Sequence, residues 1–496
     1  MINYEVIKQR RNESWREALR KQHKPNERTA IARVKMPESD VAERITSLTL
    51  EVNKGLSEEQ ALVEAQRCLD CPKPTCMEGC PVEIHIPSFI KNIERGNFRE
   101  ADAVLRETSS LPSVCGRVCP QEKQCEAHCV YHTMRKEPVA IGYLERFAAD
   151  WTRNNPSGQT PSSSKSIGKK VAVVGSGPAG LSFAGDMAKL GYDVTVFEAL
   201  HEVGGVLRYG IPEFRLPNNV VDAEINSLRS LGVNFETNMV IGATLNQDDL
   251  KDMGFAGLFV ASGAGLPNFM GIPGENYIGV MSCNEYLTRV NLMHAGTPGS
   301  ETPVFLGRRV AVIGGGNTAM DAVRTAKRLG AERAMIVYRR SEEEMPARIE
   351  EIHHAKDEGI EFLNLHNPIE YKADEQGRVR TMLLQEMELG APDASGRRRP
   401  VPIKGAIKEI EVDVVIVSIG VSPNPLVPRT FTGLDVTDRG TLVVNNDNQT
   451  TLPYIFAGGD IVRGGATVIL AMGDGRRAAA AMHQYLSAQA LSLIHI

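Results

Sequence analysis

The sequence predicts an α/β protein in which two Rossmann-like dinucleotide-binding domains follow an α-helical, cysteine-rich N-terminal domain. A strand, a glycine loop, a helix and a second strand occur in this order twice, starting at residues 170 and 309. Eight of the nine cysteines lie between Cys68 and Cys129, before either glycine loop. A chain of 496 residues is too long for a single core, so several domains are expected.

The region before the cysteines is charged and partly helical. We interpret residues 1–45 as a solvated arm that contains a helix at 12–22. A second helix is expected at 57–67, because Ser57 and Gln60 have the spacing of a capping box. Amphipathic helices are expected at 84–95 and 98–108.

The composition argues against two classes of function. Charged residues make up 24% of the chain and its formal net charge is -5, so no basic excess indicates nucleic-acid binding. No apolar run is long enough to span a bilayer, and residues 1–13 lack the apolar core of a signal peptide. We therefore expect a cytoplasmic protein that binds neither nucleic acid nor a membrane.

The clustered cysteines form two groups whose spacing indicates metal binding. The first group is Cys68, Cys71, Cys76 and Cys80, with Pro81 directly after it. The second group is Cys115, Cys119, Cys125 and Cys129. The first group resembles the ferredoxin run, in which three cysteines bind one cluster and the fourth, before Pro, binds another. Two structural zinc sites and disulfides remain as alternatives.

The first glycine loop is typical of a dinucleotide site. Gly175 permits a tight turn, Gly177 allows close approach of a pyrophosphate, and Gly180 lets the helix pack against the strand. Glu198 ends the following strand, where a carboxylate can accept both ribose hydroxyls of an adenosine. The predicted contacts are Gly175, Ser176, Gly177, Pro178, Ala179, Gly180 and Glu198.

The second glycine loop differs from the first in the residues that end its second strand. Its predicted contacts are Gly315, Gly316, Asn317 and Thr318, with Ala319 in place of the third glycine. Arg339 and Arg340 follow the strand, and no acid lies there. Two guanidinium groups suit a 2′-phosphate, so we predict that this domain binds NADP(H).

A third element, near the carboxyl end, looks like the late flavin motif of flavoproteins with two dinucleotide domains. A strand at 454–457 leads to Gly459 and Asp460, and a helix is expected from about Ala466 to Ser487. A loop after Glu198 is similar to the second flavin contact of such proteins: Gly204, Gly205, Val206 and Leu207. We add Val240 and Thr467 to the predicted contacts. Together these elements imply an FAD domain that the NADP(H) domain interrupts.

The expected organisation follows from these elements. It comprises an N-terminal helical domain with two [4Fe–4S] clusters at 1–155, a linker at 156–169, the first part of the FAD domain at 170–300, the NADP(H) domain at 301–425 and the second part of the FAD domain at 426–490.

From about Leu56 to Leu486 the chain resembles the small (beta) subunits of bacterial NADPH-dependent glutamate synthases. The stretches that carry this resemblance are 111–120, 209–217, 338–346 and 458–464. The same module is similar to the N-terminal half of dihydropyrimidine dehydrogenase and to the large subunit of NADH-dependent ferredoxin:NADP oxidoreductase. The resemblance implies two [4Fe–4S] clusters, one on Cys68, Cys71, Cys76 and Cys129 and one on Cys80, Cys119, Cys125 and Glu145.

The same resemblance assigns several further roles. Cys115 becomes a spare thiol, although Cys115 as the eighth ligand in place of Glu145 remains an alternative. Arg215 is implied to contact the flavin. The residues implied to line the nicotinamide pocket are Ser418, Ile419 and Gly420.

The resemblance implies an NADPH-oxidising electron-input subunit. Hydride would pass from NADPH to FAD, and single electrons would pass through the clusters to a large (alpha) subunit that makes glutamate from glutamine and 2-oxoglutarate. Nothing in this sequence resembles the large barrel where glutamate forms, so a partner subunit is expected. The alternatives are another oxidoreductase of the same module (electron-bifurcating, sulfide dehydrogenase or dihydropyrimidine dehydrogenase type) and a zinc-bound, non-enzymatic scaffold.

Overall fold

The computed structural model describes residues 2–156 and 165–494, so most of the predicted linker lies outside the described residues. The N-terminal domain is helical, as expected. Its helices are α1 (Tyr4–Arg11), α2 (Ser14–Gln22), α3 (Pro25–Ala30), α4 (Val41–Arg44), α5 (Glu58–Gln66), α6 (Thr75–Glu78), α7 (Ile86–Glu94), α8 (Phe98–Arg106), α9 (Pro112–Val118) and α10 (Ile141–Asn154). The capping box is confirmed, since the Ser57 Oγ accepts from the Gln60 amide at 3.2 Å and the Gln60 side chain accepts from the Ser57 amide at 2.9 Å.

The first 45 residues are not a solvated arm, and that expectation was wrong. Arg16, Arg28 and Arg44 are buried, although they lie in a strongly charged segment. The reason is that carboxylates pair with them, and for Arg44 the buried one is Glu358 of the second dinucleotide domain, at 3.1 Å. Arg16 contacts Asp70 at 2.5 Å, and Arg28 contacts Glu94 at 2.9 Å.

The first sheet is parallel, with the strand order β15-β4-β1-β2-β3. Its strands are β1 (Lys170–Val174), β2 (Asp193–Phe197), β3 (Asn234–Glu236), β4 (Phe255–Val260) and β15 (Ile455–Ala457). Because β15 comes from the carboxyl end of the chain and pairs with β4, this domain is built from two separate segments. The second domain is inserted between them, as expected.

The second sheet is also parallel, with the order β6-β13-β7-β8-β9. Its strands are β6 (Val280–Ser282), β7 (Arg309–Ile313), β8 (Arg333–Tyr338), β9 (Glu361–Asn364) and β13 (Val414–Val417). An antiparallel sheet that the sequence did not predict adjoins it, formed by β10 (His366–Ala373), β11 (Val379–Pro392) and β12 (Arg398–Glu411).

The inserted domain begins earlier than the expected residue 301. The short strands β5 (Leu266–Pro267) and β14 (Val421–Ser422) pair antiparallel where the chain enters and leaves the insertion. Since β6 already belongs to the second sheet, residues 280–300 lie in the inserted domain. No glycine loop follows the short strand β6, so nothing in the sequence indicated that this strand belongs to the inserted domain.

The helices of the two sheet domains complete the fold. They are α11 (Pro178–Lys189), α12 (Val206–Tyr209), α13 (Asn218–Ser230), α14 (Gln247–Asp252), α15 (Cys283–Leu287), α16 (Asn317–Arg328), α17 (Ile349–Asp357), α18 (Leu426–Thr430), α19 (Asp460–Arg463) and α20 (Val468–Ile494). In the described part of the chain, no helix has both the length and the apolar character needed to cross a membrane.

One hydrophobic core runs from the helical domain into the first sheet. It includes Phe89 and Val114 of the helical domain together with Val173, Phe183 and Met472. The contact between the two parts is close, because a Cβ added at Gly473 would lie 2.8 Å from the Pro81 carbonyl oxygen. Cys80, which directly precedes Pro81, therefore lies close to α20.

Candidate functional site

The first glycine loop has a different steric environment at each glycine. Gly175 has a φ of +98°, and a Cβ there would lie 2.5 Å from the Ala261 oxygen. A Cβ at Gly180 would lie 2.0 Å from the Gly175 oxygen, so α11 packs directly on the turn. At Gly177 nothing lies within 4 Å, and the backbone there is open to a ligand. This arrangement fits a pyrophosphate at the N-terminus of α11.

Glu198 is buried beside this loop and is already a hydrogen-bond acceptor. It accepts from the Ser176 amide at 3.0 Å, from the Leu200 amide at 2.9 Å and from the Ser176 hydroxyl. The Ser176 Oγ in turn accepts from the Gly204 amide at 2.9 Å, which ties the second predicted flavin loop to the first. A carboxylate offers about four acceptor positions. Glu198 therefore retains room for about one ribose hydroxyl rather than two.

A cavity of about 950 Å³ opens between the two sheet domains and the helical domain. The predicted residues that line it are Gly175, Ser176, Gly177, Pro178, Ala179, Glu198, Gly205, Val206, Arg215, Val240, Asn317, Thr318, Gly459, Asp460 and Thr467. Gly180, Gly204 and Leu207 do not line it; Leu207 is fully buried. The residues Gly315, Gly316, Arg339, Arg340, Ser418, Ile419 and Gly420 also lie outside its lining. Most of the residues predicted to bind FAD thus line this cavity. Of the residues predicted to bind NADP(H), only Asn317 and Thr318, at the start of α16, line it.

The wall of the same cavity includes the helical domain through Val118 and Pro120. These two residues flank Cys119 in the chain, and all three are buried. Cys119 therefore lies directly behind this part of the cavity wall, although no cysteine side chain itself lines the cavity.

The late flavin motif depends on a residue that the sequence analysis missed. Asp474 of α20 is buried; it accepts from the Gly459 amide at 3.0 Å and from the Nε and one terminal nitrogen of the Arg463 guanidinium, both at 2.6 Å. These bonds hold Gly459, which has a φ of +75°, in its turn. Burial raises the pKa of the neighbouring Asp460 to about 6. Asp474 is the only acidic residue in α20 and lies between two glycines, which was the signal that could have identified it.

The two arginines of the second domain differ in their surroundings. The Arg340 guanidinium is buried, donates to the Arg398 carbonyl at 2.9 Å and pairs with Asp393 at 2.6 Å. Arg339 is exposed at the end of β8, and no partner of its side chain was found among the described residues. Of the two guanidinium groups expected to meet a 2′-phosphate, Arg339 is the free one. Arg340 already has partners in the antiparallel sheet.

Arg215 lines the cavity, but its guanidinium also joins the two dinucleotide domains. It donates to both Asp321 oxygens at 2.8 and 2.7 Å and lies 3.1 Å from a Glu351 oxygen. Burial would raise the pKa of Glu351, yet the charges of Arg215 and Arg324 hold it at about 2. For Asp321 burial prevails, and its pKa is raised to about 6. The polar contacts of the Arg215 guanidinium are therefore with these two carboxylates.

The first implied cluster quartet shares one small enclosure. Cys68, Cys71, Cys76 and Cys129 line a cavity of about 30 Å³ whose remaining wall is mostly apolar. Burial raises the pKa of Cys71 to about 12. Thiolates in such surroundings need compensation by a metal.

The second implied set also converges, and Cys115 lies within it. The thiols of Cys80, Cys119 and Cys125 are fully buried within electrostatic reach of Glu145. The Glu145 Oε1 is buried without a hydrogen-bond partner, and burial raises the pKa of its carboxyl to about 8. The Cys115 Sγ lies 3.4 Å from the Met472 Sδ, and its thiol also faces Cys119. An orphaned carboxyl oxygen beside three thiols fits a cluster ligand, whereas the position of Cys115 against Cys119 keeps it as the alternative ligand.

All nine cysteines are free thiols in the structure, so the disulfide alternative has no support. Across residues 2–156 and 165–494, no three His, Cys, Asp or Glu side chains converge tightly enough for a single metal ion.

Comparisons with known proteins match both parts of the chain. Residues 44–157 match the family model described as dihydropyrimidine dehydrogenase domain II, 4Fe-4S cluster. Residues 169–481 match the model for pyridine nucleotide-disulphide oxidoreductases.

Individual relatives extend over nearly the whole chain. The glutamate synthase [NADPH] small chain of Escherichia coli is 36% identical over 446 residues, which cover 88% of this chain and 94% of that protein. The NADP(+)-dependent formate dehydrogenase subunit beta of Moorella thermoacetica is 37% identical over 83% of this chain and 60% of its own length. Among solved structures, FprA of Mycobacterium tuberculosis has a similar fold, with a TM-score of 0.56 and 20% identity over 66% of this chain and 86% of its own.

Proposed function

The chain belongs to the family of glutamate synthase [NADPH] small chains, and we propose that it is the electron-input subunit of a glutamate synthase. It is an NADPH oxidoreductase that uses FAD and 4Fe-4S iron–sulfur chemistry. One observation carries this proposal. The 950 Å³ cavity is lined both by the first glycine loop and by Val118 and Pro120, which flank Cys119. A flavin in this cavity would therefore border a cluster ligand.

When bound, FAD would supply the hydride acceptor for NADPH, and iron–sulfur clusters would supply one-electron acceptors. The contribution of the chain is to position these groups and to exclude water. Gly177 leaves its backbone open to a pyrophosphate, and the start of α20 at Thr467 faces the same cavity. Asn317 and Thr318 bring the second dinucleotide loop to that cavity. No general acid or base is required, because hydride and electron transfer depend on orientation.

We propose the two cluster ligand sets that the resemblance implies. The common enclosure of Cys68, Cys71, Cys76 and Cys129 supports the first set. The orphaned oxygen of Glu145, beside the thiols of Cys80, Cys119 and Cys125, supports the second. We further propose that residues 1–155 form the domain that holds both clusters.

Iron and sulfide analysis tests the second set. Glu145→Ala should lower the iron and sulfide content by about half, because one of two clusters loses a ligand. Cys115→Ser tests the alternative ligand directly, since Cys115 is also buried and lies against Cys119 and Met472. If Cys115→Ser lost a cluster and Glu145→Ala did not, the assignment of Glu145 would be wrong.

The proposed partner is a glutamate synthase large subunit. The full chain, purified alone, should reduce an artificial acceptor with NADPH and make no glutamate from glutamine and 2-oxoglutarate. Addition of the large subunit should restore NADPH-dependent glutamate formation. If affinity-tagged chain instead copurified with a formate dehydrogenase catalytic subunit, the electron-input role would hold and the glutamate synthase assignment would fail.

A further inference from the structure

A buried lysine lies beneath the first cysteine quartet. Lys91 of α7 is fully buried, and its ammonium group donates to the Cys68 carbonyl at 2.5 Å. Its other partner is Glu94, which also pairs with Arg28 at 2.9 Å. The buried carboxylate of Asp70, close to Cys68 in the chain, is paired with Arg16 and Arg20. The Lys91 ammonium therefore places a positive charge directly at the backbone of a proposed cluster ligand.

A buried cation of this kind acts on electron affinity as well as on protonation. One-electron reduction adds one negative charge to a cluster and forms no bond to the protein. Coulomb interactions are stronger in a buried site than in water, so a nearby ammonium group favours the reduced state.

The second cysteine group has a different balance of charge. One oxygen of the Glu145 carboxyl group has no hydrogen-bond partner, and Glu126 directly follows Cys125 in the chain. Arg33 pairs with Glu126 at 2.7 Å, and the cation that faces Cys119 is Arg348. Neither arginine donates to the backbone of a cluster cysteine, whereas Lys91 does.

We propose that Lys91 is a positioning residue whose buried charge raises the reduction potential at the Cys68 quartet (Cys68, Cys71, Cys76 and Cys129) above that at the Cys119 group (Cys80, Cys119, Cys125 and Glu145). The proposal rests on the two ligand sets proposed above. Because Val118 and Pro120 place the Cys119 group at the cavity wall, a higher potential at the Cys68 quartet draws electrons away from the cavity. The difference in reduction potential gives electron flow a direction, from the Cys119 group to the Cys68 quartet, that the ligand sets alone do not provide.

The test is a redox titration of the full-length chain, monitored by electron paramagnetic resonance, with iron content measured for each variant. Lys91→Met should lower the reduced-to-oxidised ratio of one cluster about tenfold at a fixed potential, or 59 mV for one electron. Glu94→Gln should shift the same signal in the opposite direction, because it removes the negative charge next to Lys91. Lys73→Met is the matched control, since Lys73 is exposed on the same cysteine loop and should leave both signals unchanged.

Opposite shifts separate an electrostatic role from a structural one, since loss of packing would disturb both variants in the same way. Equal shifts in one direction, or no shift in either variant with both clusters loaded, would overturn the proposal. If Lys91→Met does not retain iron, the upward shift of Glu94→Gln decides by itself. A wild-type chain with a single cluster would instead refute the proposed ligand sets and leave NADPH oxidation intact.

Discussion

Replacement of Arg339 by glutamine should reduce the preference of this protein for NADPH over NADH. Arg339 is exposed at the end of β8, and no partner of its side chain was found in the described residues, so its guanidinium is available to a ligand. Arg340 is not equivalent, because it donates to the Arg398 carbonyl and pairs with Asp393. The structure thus separates two adjacent arginines that the sequence treats alike.

The expected magnitude follows from the kind of contact that is lost. A hydrogen bond to a charged group contributes about 1.5–3 kcal/mol, and 1.4 kcal/mol corresponds to about tenfold in affinity. Because Arg339 is exposed, salt screens its charge, which favours the lower end of this range. We therefore expect kcat/KM for NADPH to fall about tenfold, through KM, and the effect to diminish as ionic strength rises.

The assay compares kcat/KM for NADPH and for NADH with an artificial electron acceptor. NADH lacks the 2′-phosphate, so its value should not change. Arg333→Gln is the matched control, because Arg333 lies at the other end of β8 and pairs with Glu361 on the surface. An unchanged ratio of NADPH to NADH activity in Arg339→Gln would refute the assignment. An equal fall for both nucleotides would indicate a structural role.

Three further perturbations have defined outcomes. Asp474→Asn should lower the FAD content of the purified protein, measured from flavin absorbance after denaturation, because its carboxylate holds the turn at Gly459. Arg348→Met should lower the free energy of unfolding by about 2–4 kcal/mol, measured by chemical denaturation, because it removes charge-assisted bonds between domains. Burial acts to raise the pKa of Glu351 and Glu358, but neighbouring arginines hold both at about 2. Their contribution to stability is therefore complete above pH 4.5 and is lost as the pH falls toward 2, so the urea midpoint should fall between pH 5 and pH 3.

Each of these outcomes has a control. Asp186→Asn should leave FAD content unchanged, because Asp186 pairs with Arg476 away from the cavity lining. Arg308→Met removes an exposed ion pair with Glu332 and should cost far less than Arg348→Met. Arg324→Met removes a shared partner of Glu351 and Glu358 and should flatten the acid dependence. An equally steep loss of stability in that variant would contradict the role of the ion pairs.

Short-range patterns in the sequence determined the repeated elements correctly. The strands β1 and β7 begin at residues 170 and 309, where the sequence predicted them, and the capping box at Ser57 forms. These features depend on residues close together in the chain, such as the glycines of a turn or the partners of a helix cap. The family resemblance added the organisation of two dinucleotide domains and the use of FAD, NADPH and iron–sulfur clusters, which the comparisons support.

Only the tertiary structure decided which charged residues are buried and with which partners. Arg215 lies 106 residues before its partner Asp321, and no pattern in the sequence links the two. Arg16 lies in a charged segment that the sequence predicts to be solvated, yet it is buried in the helical domain because it pairs with Asp70. A charge is stable in a protein interior only when an opposite charge is brought to it. Those pairings arise from the packing of distant segments, so the sequence determined the dinucleotide loops and cysteine groups, whereas the fold determined their electrostatic surroundings.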